Sequence, residues 1–198
     1  MSKQRKFIEV VHPGDVVYDV GANVGVYTLL TSVLVGSSGS VVAFEPVPDN
    51  LAFLRRHVTL NDLDNVEVVA AAVADTDGEA RFSLGGHPSV GRLHESGELV
   101  VRQVTLDAFF QEPGRRPPAA LKIDVEGGEL LVLNGARKLL AEHCPTVFVA
   151  THSPQLLDDC RSLLEGFGYM VEAVASDPNE LLATPAVGQP GSFVGGCP

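Results

Sequence analysis

The sequence has no tryptophan, three cysteines and no long apolar segment, and these shortages exclude several classes of protein. Cys144, Cys160 and Cys197 form an odd set without C-x-x-C spacing, which argues against a disulfide framework or a zinc cluster. No apolar run approaches the roughly 20 residues that cross a bilayer, and the charged start of the chain is unlike a signal peptide. We therefore expect a soluble, cytoplasmic protein with reduced thiols and no membrane span.

Basic residues are also scarce, because 14 Lys and Arg stand against 25 Asp and Glu, for a net charge of −11. Proteins that bind duplex nucleic acid usually cluster their Lys and Arg. Here the only Arg-Arg doublets are Arg55-Arg56 and Arg115-Arg116, so we expect no nucleic-acid partner. A chain of 198 residues that is 45% hydrophobic and 20% charged fits one globular domain, which we assign to residues 1–198.

Short β-branched runs alternate with longer helical patterns, which is typical of an α/β protein with a parallel sheet. Strands are predicted over residues 16–20, 41–44, 66–73, 121–124, 147–150 and 169–174, with a closing strand at 192–194. Between the third and fourth of these, residues 80–84 and 99–104 predict antiparallel strands on either side of a polar loop over 85–97. This segment is expected to be a small β-hairpin insertion.

Helical periodicity follows most of these strands. One helix is expected to end near Val35, a second to run from Pro48 to Asn61, and a third to follow Gly128. The third helix is predicted to bury one face made of Leu130, Leu133, Ala136 and Leu140. A fourth is predicted to bury Leu156, Cys160, Leu163 and Phe167.

In open parallel sheets, ligands bind beyond the carboxyl ends of the strands, and the first strand ends in Asp19-x-Gly21-x-Asn23-x-Gly25. Glycines at such a turn let the backbone approach a ligand, and the next helix presents free N–H groups. Asn23 replaces the second glycine of a G-x-G-x-x-G motif, which disfavours a dinucleotide diphosphate. A purely structural turn is the alternative interpretation.

Acidic residues follow two further strands. Glu45 stands about 20 residues after Gly25, where an acid can accept both hydroxyls of an adenosine ribose. The alternative for Glu45 is a solvated loop acid. Asp124, Glu126 and Glu129 follow the fourth strand, and their repetition at one edge of the sheet favours a site. For Asp124 alone, a helix cap or loop acid is the alternative.

Taken as a set, these motifs resemble the FkbM family of S-adenosylmethionine-dependent methyltransferases. The resemblance spans about residues 16–174 and implies a Rossmann-like class I methyltransferase sandwich. Such a fold has a mostly parallel seven-stranded sheet with helices on both faces and an antiparallel last strand. It further implies methyl transfer to hydroxyl groups of natural products, sugars or lipids. The motifs are D-V-G-A-N-V-G-V-Y-T from Asp19, F-E-P from Phe44, D-x-x-G from Asp75, T-L-D from Thr105 and K-I-D-V-E-G-x-E from Lys122.

The resemblance also implies where S-adenosylmethionine binds. The glycine-containing turn would hold the methionine end of the cofactor, with Asp19 receiving its ammonium directly or through water. Glu45 would take the ribose hydroxyls. Asp75 would border the adenine or only stabilise the turn toward Gly78. The predicted cofactor-binding residues are Asp19, Gly21, Asn23, Gly25, Glu45 and Asp75.

Methyl transfer to a hydroxyl requires removal of its proton, for which a positioned base is useful. His152 is the first candidate because it follows a buried strand and can be neutral near pH 7, although a structural histidine is an equal alternative. Asp124 is the second candidate, as base or as an orienting group. A Mg²⁺ ion near Asp124 is not favoured, because further oxygen ligands are not evident. The family often has an acid before this histidine, where Thr151 stands here, so no metal ligand is predicted.

The leading hypothesis is thus an O-methyltransferase that acts on a small hydroxylated acceptor. A NAD-dependent oxidoreductase would use the same turn and Glu45, but the missing glycines argue against it. A non-catalytic, nucleoside-binding partner subunit is a third hypothesis, motivated by the short segment before the first strand. A homodimer is a further expectation, since a short segment leaves the cleft open unless a second copy covers it.

Overall fold

A computed structural model describes residues 3–83, 92–93, 97–174 and 177–186. Its helices are α1 (Lys3–Val10), α2 (Val26–Val35), α3 (Pro48–Leu60), α4 (Leu106–Phe110), α5 (Glu129–Asn134), α6 (Arg137–His143) and α7 (Pro154–Gly166). Its strands are β1 (Val16–Val20), β2 (Ser40–Phe44), β3 (Val66–Val69), β4 (Ala72–Val73), β5 (Gly78–Ser83), β6 (Arg92–Leu93), β7 (Leu99–Val104), β8 (Ala120–Ile123), β9 (Thr146–Ala150), β10 (Tyr169–Val174) and β11 (Asp177–Pro185).

The main sheet has seven strands in the order β10-β11-β9-β8-β1-β2-β3. All are parallel except β11, which lies antiparallel between β9 and β10. In the register of the central strands, Val20 lies opposite both Phe44 and Ile123. Gly21, Glu45 and Asp124, the residues that follow these three, therefore emerge side by side at one edge of the sheet.

Helices cover both faces of this sheet, which confirms the predicted fold class. Successive strand residues point to opposite faces, so Tyr18 packs in one apolar core and Val17 in another. The core around Tyr18 includes residues of α4, α5, α6 and α7. The core around Val17 includes residues of α1 and α2, and α3 packs on the same face through Leu54 against Ala43.

The predicted third strand over residues 66–73 is wrong in its length. β3 ends at Val69, where the N–H of Ala71 donates to the Val69 carbonyl in a tight turn at 3.0 Å. The chain then leaves the main sheet, and β4 pairs in parallel with β7. The apolar run could not reveal this break, because Ala and Val are equally suited to both sheets.

The predicted β-hairpin insertion is larger than expected, since it forms a second sheet in the order β4-β7-β5-β6. The antiparallel pairing of β5 with β7 is confirmed. Ala72, Phe82 and Val101 of this sheet pack with Val47 in a small core, while Val73 and Val104 of the same sheet belong to the core around Tyr18. Much of the predicted loop over 85–97 lies outside the described residues.

The predicted single helix after Gly128 is two short helices, α5 and α6. The break falls at Gly135, whose carbonyl accepts a hydrogen bond from the Asp107 N–H at 2.9 Å. A Cβ atom at Gly135 would overlap the Ala74 carbonyl, so close packing here requires glycine. Leu133, Ala136 and Leu140 are buried as predicted, while Leu130 is only partly buried.

The closing strand was predicted at residues 192–194, which lie outside the described residues. The antiparallel strand of the sheet is β11 instead, and its Leu181, Leu182 and Ala183 are buried. Cys160 is a buried free thiol and Cys144 is disulfide-bonded, so the expectation of thiols throughout is wrong for Cys144. None of the helices that the structure describes has the length and apolar character needed to cross a membrane.

Candidate active site

The loop between β1 and α2 forms one wall of the candidate site. Gly21, Asn23 and Gly25 have φ values of 77°, 54° and 97°, in a region that glycine adopts freely and asparagine tolerates. The N–H of Gly21 donates to the Phe44 carbonyl at 3.1 Å, which ties the loop to the end of β2. A Cβ atom on Gly21 would overlap the Asp124 carbonyl. Glycine is therefore required where this loop crosses the end of β8.

Glu45 follows β2, and its carboxylate is held by three hydrogen bonds. Oε2 accepts from the Asn23 N–H at 2.8 Å, while Oε1 accepts from the Val47 N–H at 2.8 Å and the Asn50 amide at 3.2 Å. Burial raises the pKa of Glu45 above its ordinary value, and these bonds offset only part of that effect. The solvated-loop alternative for Glu45 is wrong, because the residue is 4% exposed.

Lys122 has no separate role in the prediction from sequence, yet its ammonium contacts both Asp19 at the end of β1 and Gly21 in the loop that follows. Its Nζ donates to the Gly21 carbonyl at 2.9 Å and lies 3.0 Å from Asp19 Oδ1, in an ion-pair contact. It also stands 5.4 Å from the centre of the Tyr27 ring. Asp19 accepts a further hydrogen bond from the Thr28 hydroxyl at 2.6 Å. A lysine inside an otherwise apolar buried strand is the sequence signal that could have found this pair.

A cavity of about 350 Å³ lies between the β1–α2 loop and the ends of β2 and β8, within the roughly 300–1,000 Å³ typical of small-molecule sites. Apolar side chains make much of its wall. Four predicted site residues line it, and these are Gly21, Asn23, Glu45 and Asp124. Four others, Asp19, Gly25, Asp75 and His152, are not among the described residues that line it.

The part of the wall expected to meet the adenine is built by Ala71, Ala72 and Val73, together with the ring of Phe82. Asp75 is exposed and is not among the described residues that line this wall. The turn toward Gly78 is stabilised by Asp77 instead, whose carboxylate accepts from the Thr105 N–H at 2.8 Å. The apolar wall could face the flat surface of an aromatic base.

His152 stands in a group of three carboxylates next to the cavity. Its Nδ1 lies 2.7 Å from Glu129 Oε1, and its Nε2 lies 3.2 Å from Glu126 Oε2 and 3.7 Å from Asp124 Oδ1. Glu129 is fully buried, and its Oε1 also accepts from the Gly127 N–H at 2.9 Å. Asp124 and Glu126 line the cavity, so this group connects His152 to it.

The protonation of this group is set by its mutual contacts. The hydrogen bond to Glu129 raises the pKa of His152 above its ordinary value, against the opposing effect of burial, and the nearby carboxylates of Glu126 and Asp124 add to it. Burial alone would raise the pKa of Glu129, but the hydrogen bonds from His152 and Gly127 outweigh it and hold that pKa below its ordinary value. Where the sequence shows no further oxygen ligands near Asp124, the structure places one carboxylate oxygen of Glu126 and one ring nitrogen of His152 within 4.8 Å of an Asp124 carboxylate oxygen.

The order of these motifs can be compared with known protein families. The model of the methyltransferase FkbM domain matches residues 19–171, which includes the β1–α2 loop, Glu45, Lys122 and the His152 region. The chain belongs to the FkbM methyltransferase family. As a member it is an S-adenosylmethionine-dependent methyltransferase, and the predicted cofactor is confirmed. The nicotinamide alternative is thereby set aside.

Two curated relatives illustrate the range of the family. The chain is 29% identical over 198 aligned residues to 31-O-demethyl-FK506 methyltransferase FkbM of Streptomyces tacrolimicus, with 82% of this chain and 75% of that protein covered. It is 26% identical over 138 residues to the hexuronic acid methyltransferase AglP of Haloferax volcanii, with 69% of this chain and 56% of that protein covered.

Solved structures show the same fold. A methyltransferase FkbM from Methylobacillus flagellatus KT superposes with a TM-score of 0.60 at 20% identity, over 92% of this chain and 50% of that chain. Fibrillarin from Aeropyrum pernix, which was solved with natively bound S-adenosylmethionine, superposes with a TM-score of 0.56 at 15% identity, over 88% of this chain and 67% of that chain. This FkbM-family chain thus covers half of the length of the Methylobacillus flagellatus protein.

Proposed function

We propose that this FkbM-family chain transfers the methyl group of S-adenosylmethionine to a hydroxyl oxygen of a small molecule, such as a sugar, a lipid or a natural product. The names of the two relatives support an oxygen-bearing small-molecule acceptor. The observation that carries the proposal is the buried, three-fold hydrogen-bonded carboxylate of Glu45 in the cavity wall.

Glu45 is proposed to bind the ribose of the cofactor. Each carboxylate oxygen can accept two hydrogen bonds, and Oε2 accepts one, from the Asn23 N–H. Oε2 therefore has capacity for one ribose hydroxyl. The second hydroxyl can replace the long bond from Asn50 to Oε1 at 3.2 Å. Because the carboxylate is already positioned, little ordering is required when the cofactor binds.

The methionine end is proposed to lie against the loop formed by Gly21, Asn23 and Gly25, where the start of α2 offers free N–H groups to a carboxylate. Asp19 is almost fully buried and already paired with Lys122. A direct contact of Asp19 with the cofactor ammonium is thus less favoured than one through water. The main contribution of the pair is to hold the Gly21 carbonyl in place through Lys122.

The acceptor hydroxyl is proposed to lie near Asp124, which lines the cavity. In the reaction an O–CH₃ bond forms as the S–CH₃ bond breaks, and the sulfur keeps the electron pair in S-adenosylhomocysteine. The hydroxyl proton passes to the group made of Asp124, Glu126 and His152. A positioned base of this kind typically contributes about 10²- to 10⁴-fold to the rate, and alignment of oxygen, carbon and sulfur supplies the rest.

Calorimetry with S-adenosylhomocysteine tests the cofactor site. The Glu45→Gln variant should bind it about 10- to 100-fold more weakly, because hydrogen bonds to a charged group contribute about 1.5–3 kcal/mol each. Glu79→Gln, at an exposed position of β5, is the matched control and should bind normally. Equal affinity of the two variants would contradict the role of Glu45.

Turnover tests the catalytic part of the proposal. The chain should form S-adenosylhomocysteine from S-adenosylmethionine when a hydroxylated acceptor is supplied from a panel of sugars, lipids and macrolides. Binding without turnover on the whole panel would favour the non-catalytic, nucleoside-binding alternative.

A further inference from the structure

We propose that Asp124, Glu126 and His152 form a binding site for a divalent first-row transition-metal ion, here called the His152 site. Asp124 and Glu126 lie in the loop after β8, and His152 lies in the loop after β9. One ligand atom from each lies within 4.8 Å of the other two. The site adjoins the cavity, because two of its three residues line the cavity wall.

The distances between the donor atoms suit one ion. Octahedral ions with ligands about 2.1 Å away have neighbouring ligand atoms about 3.0 Å apart and opposite ones about 4.2 Å apart. In the His152 site, Nε2 lies 3.2 Å from Glu126 Oε2 and 3.7 Å from Asp124 Oδ1. These separations lie within that range, so the three donors can surround an ion with only small side-chain movements.

The imidazole is oriented as a ligand by a group behind it. An ionised carboxylate only accepts hydrogen bonds, so the contact of 2.7 Å between Glu129 Oε1 and His152 Nδ1 assigns the proton to Nδ1. In the neutral ring, the lone pair is then on Nε2 and faces Asp124 and Glu126. Metal-bound histidines almost always have such a carboxylate or carbonyl on the other ring nitrogen.

Glu129 supplies a second, independent observation. It is fully buried, and its Oε2 has no hydrogen-bond partner among the described residues. A buried carboxylate with an unsatisfied oxygen is costly unless a cation lies nearby. With Asp124 and Glu126 it makes three negative charges around one imidazole. A doubly charged ion bound to Nε2 would neutralise two of these three negative charges. A single proton on the ring would neutralise only one.

The donor set indicates the class of ion. Carboxylate oxygens suit Mg²⁺, Ca²⁺ and Mn²⁺, whereas an imidazole nitrogen favours ions such as Mn²⁺, Fe²⁺, Co²⁺ and Zn²⁺ over Mg²⁺ and Ca²⁺. Three protein ligands would leave open positions on a six-coordinate ion. This arrangement differs from the all-oxygen Mg²⁺ site considered from the sequence.

The proposed role of the ion rests on the proposed O-methyl transfer. An ion held by Asp124, Glu126 and His152 would make a neighbouring acceptor hydroxyl more acidic, because a divalent ion stabilises negative charge on oxygen. With an ion bound, the three side chains would act as its ligands and no longer as the base, so the hydroxyl proton would leave to solvent water instead. The oxygen would form the new bond to the methyl carbon, and the sulfur would keep the electron pair of the broken bond. No oxidant or reductant takes part.

Binding of Mn²⁺ to the metal-free full chain, followed by electron paramagnetic resonance, tests the site. One ion should bind per chain, and His152→Ala and Glu126→Gln should each weaken binding by at least about tenfold. Glu129→Gln, which removes only the group behind the ring, should weaken it about 10- to 100-fold. The matched control is His12→Ala, since His12 is an exposed histidine beside an acid on another part of the chain. Circular dichroism checks that each variant is folded.

The metal site would be overturned if the wild-type chain did not bind Mn²⁺. It would also be overturned if His152→Ala bound Mn²⁺ as tightly as His12→Ala does. A protonated His152 that holds the three carboxylates together would then be the correct description. S-adenosylhomocysteine binding is measured in parallel with a chelator present. If the nucleoside binds but Mn²⁺ does not, only the metal proposal fails, and if neither nucleoside binding nor turnover occurs, the proposed function fails. Turnover unaffected by the chelator would overturn the role given to the ion.

Discussion

Gly21 illustrates how one residue connects the ligand-binding loop to the sheet. Its φ of 77° and its close approach to the Asp124 carbonyl place two separate demands on this position. The motif alone indicates the first demand, because glycine commonly marks a turn with positive φ. The second demand depends on β8, which lies about a hundred residues further along the chain.

The Gly21→Ala variant should therefore lose about 2–6 kcal/mol of unfolding free energy, as the sum of backbone strain and overpacking. Gly114→Ala is the matched control, because Gly114 has a similar φ of 86° but no atom within 4 Å of an added Cβ. It should lose only about 1–2 kcal/mol. Urea denaturation measures both values, and similar losses would show that the close approach to Asp124 is unimportant.

Glu45 should make cofactor binding depend on pH. Burial raises its pKa above the ordinary value of 4.5 in the free protein. Ribose hydroxyls donate to the ionised form, so binding favours that form and the affinity falls once the pH drops below the raised pKa. The decline should thus begin above pH 4.5.

Calorimetry with S-adenosylhomocysteine, from neutral pH down to the lowest pH at which the protein stays folded, measures this decline. The Glu45→Gln variant provides the control, because its side chain does not titrate. An identical pH dependence in the variant would assign the effect to another group.

At the scale of elements, the junction between α4 and α6 shows a contact that sequence periodicity misses. Asp107 stands in the first turn of α4, where an acid interacts favourably with the helix dipole. Its carboxylate also accepts from the Lys138 N–H at 3.0 Å and the Leu139 N–H at 2.9 Å. The carboxylate thereby caps the start of α6, a different helix, while the backbone N–H of Asp107 donates to the Gly135 carbonyl at 2.9 Å.

Replacing Asp107 with Ala should destabilise the protein by about 0.5–2 kcal/mol, the usual cost of losing an N-cap. Asp49 is a suitable control, because it is an exposed acid in the first turn of α3 and shares the favourable interaction with the helix dipole. Thermal and urea unfolding compare the two variants. If Asp49→Ala costs as much as Asp107→Ala, the contact between α4 and α6 adds nothing.

For the whole molecule, one core links the two sheets. Val73 of β4 and Val104 of β7 belong to the same apolar cluster as Tyr18 and Ile123 of the main sheet. The second sheet should therefore unfold together with the first. The cavity draws residues from both parts, since Phe82 of β5 and Glu45 both line it.

Ligand binding should consequently stabilise the entire fold. At 100 times its dissociation constant, S-adenosylhomocysteine should add about 2.7 kcal/mol, which corresponds to a rise of about 5–11 °C in Tm for a chain of this size. Differential scanning calorimetry should show one transition that moves as a unit. A second transition that does not move would show that the small sheet unfolds independently.

The edge of the sheet where the site lies can be read from the amino-acid sequence alone. The central strands were predicted within about one residue at each end, and parallel strands deliver the residues that follow them to one edge. Gly21, Glu45 and Asp124 could thus be brought together without coordinates. The motifs that carry the family resemblance lie at the ends of these strands. They therefore indicate the cofactor as well as the place where it binds.

Features that depend on contacts between distant segments are visible only in the folded chain. Periodicity indicates which side chains are buried but not which ones meet, so it could not pair Lys122 with Asp19 or surround His152 with Asp124, Glu126 and Glu129. It also could not separate β3 from β4, because both are short apolar runs and only their partner strands differ. Local patterns fix local conformation, while charge pairing and strand partners are set by energies that arise only when the chain is folded.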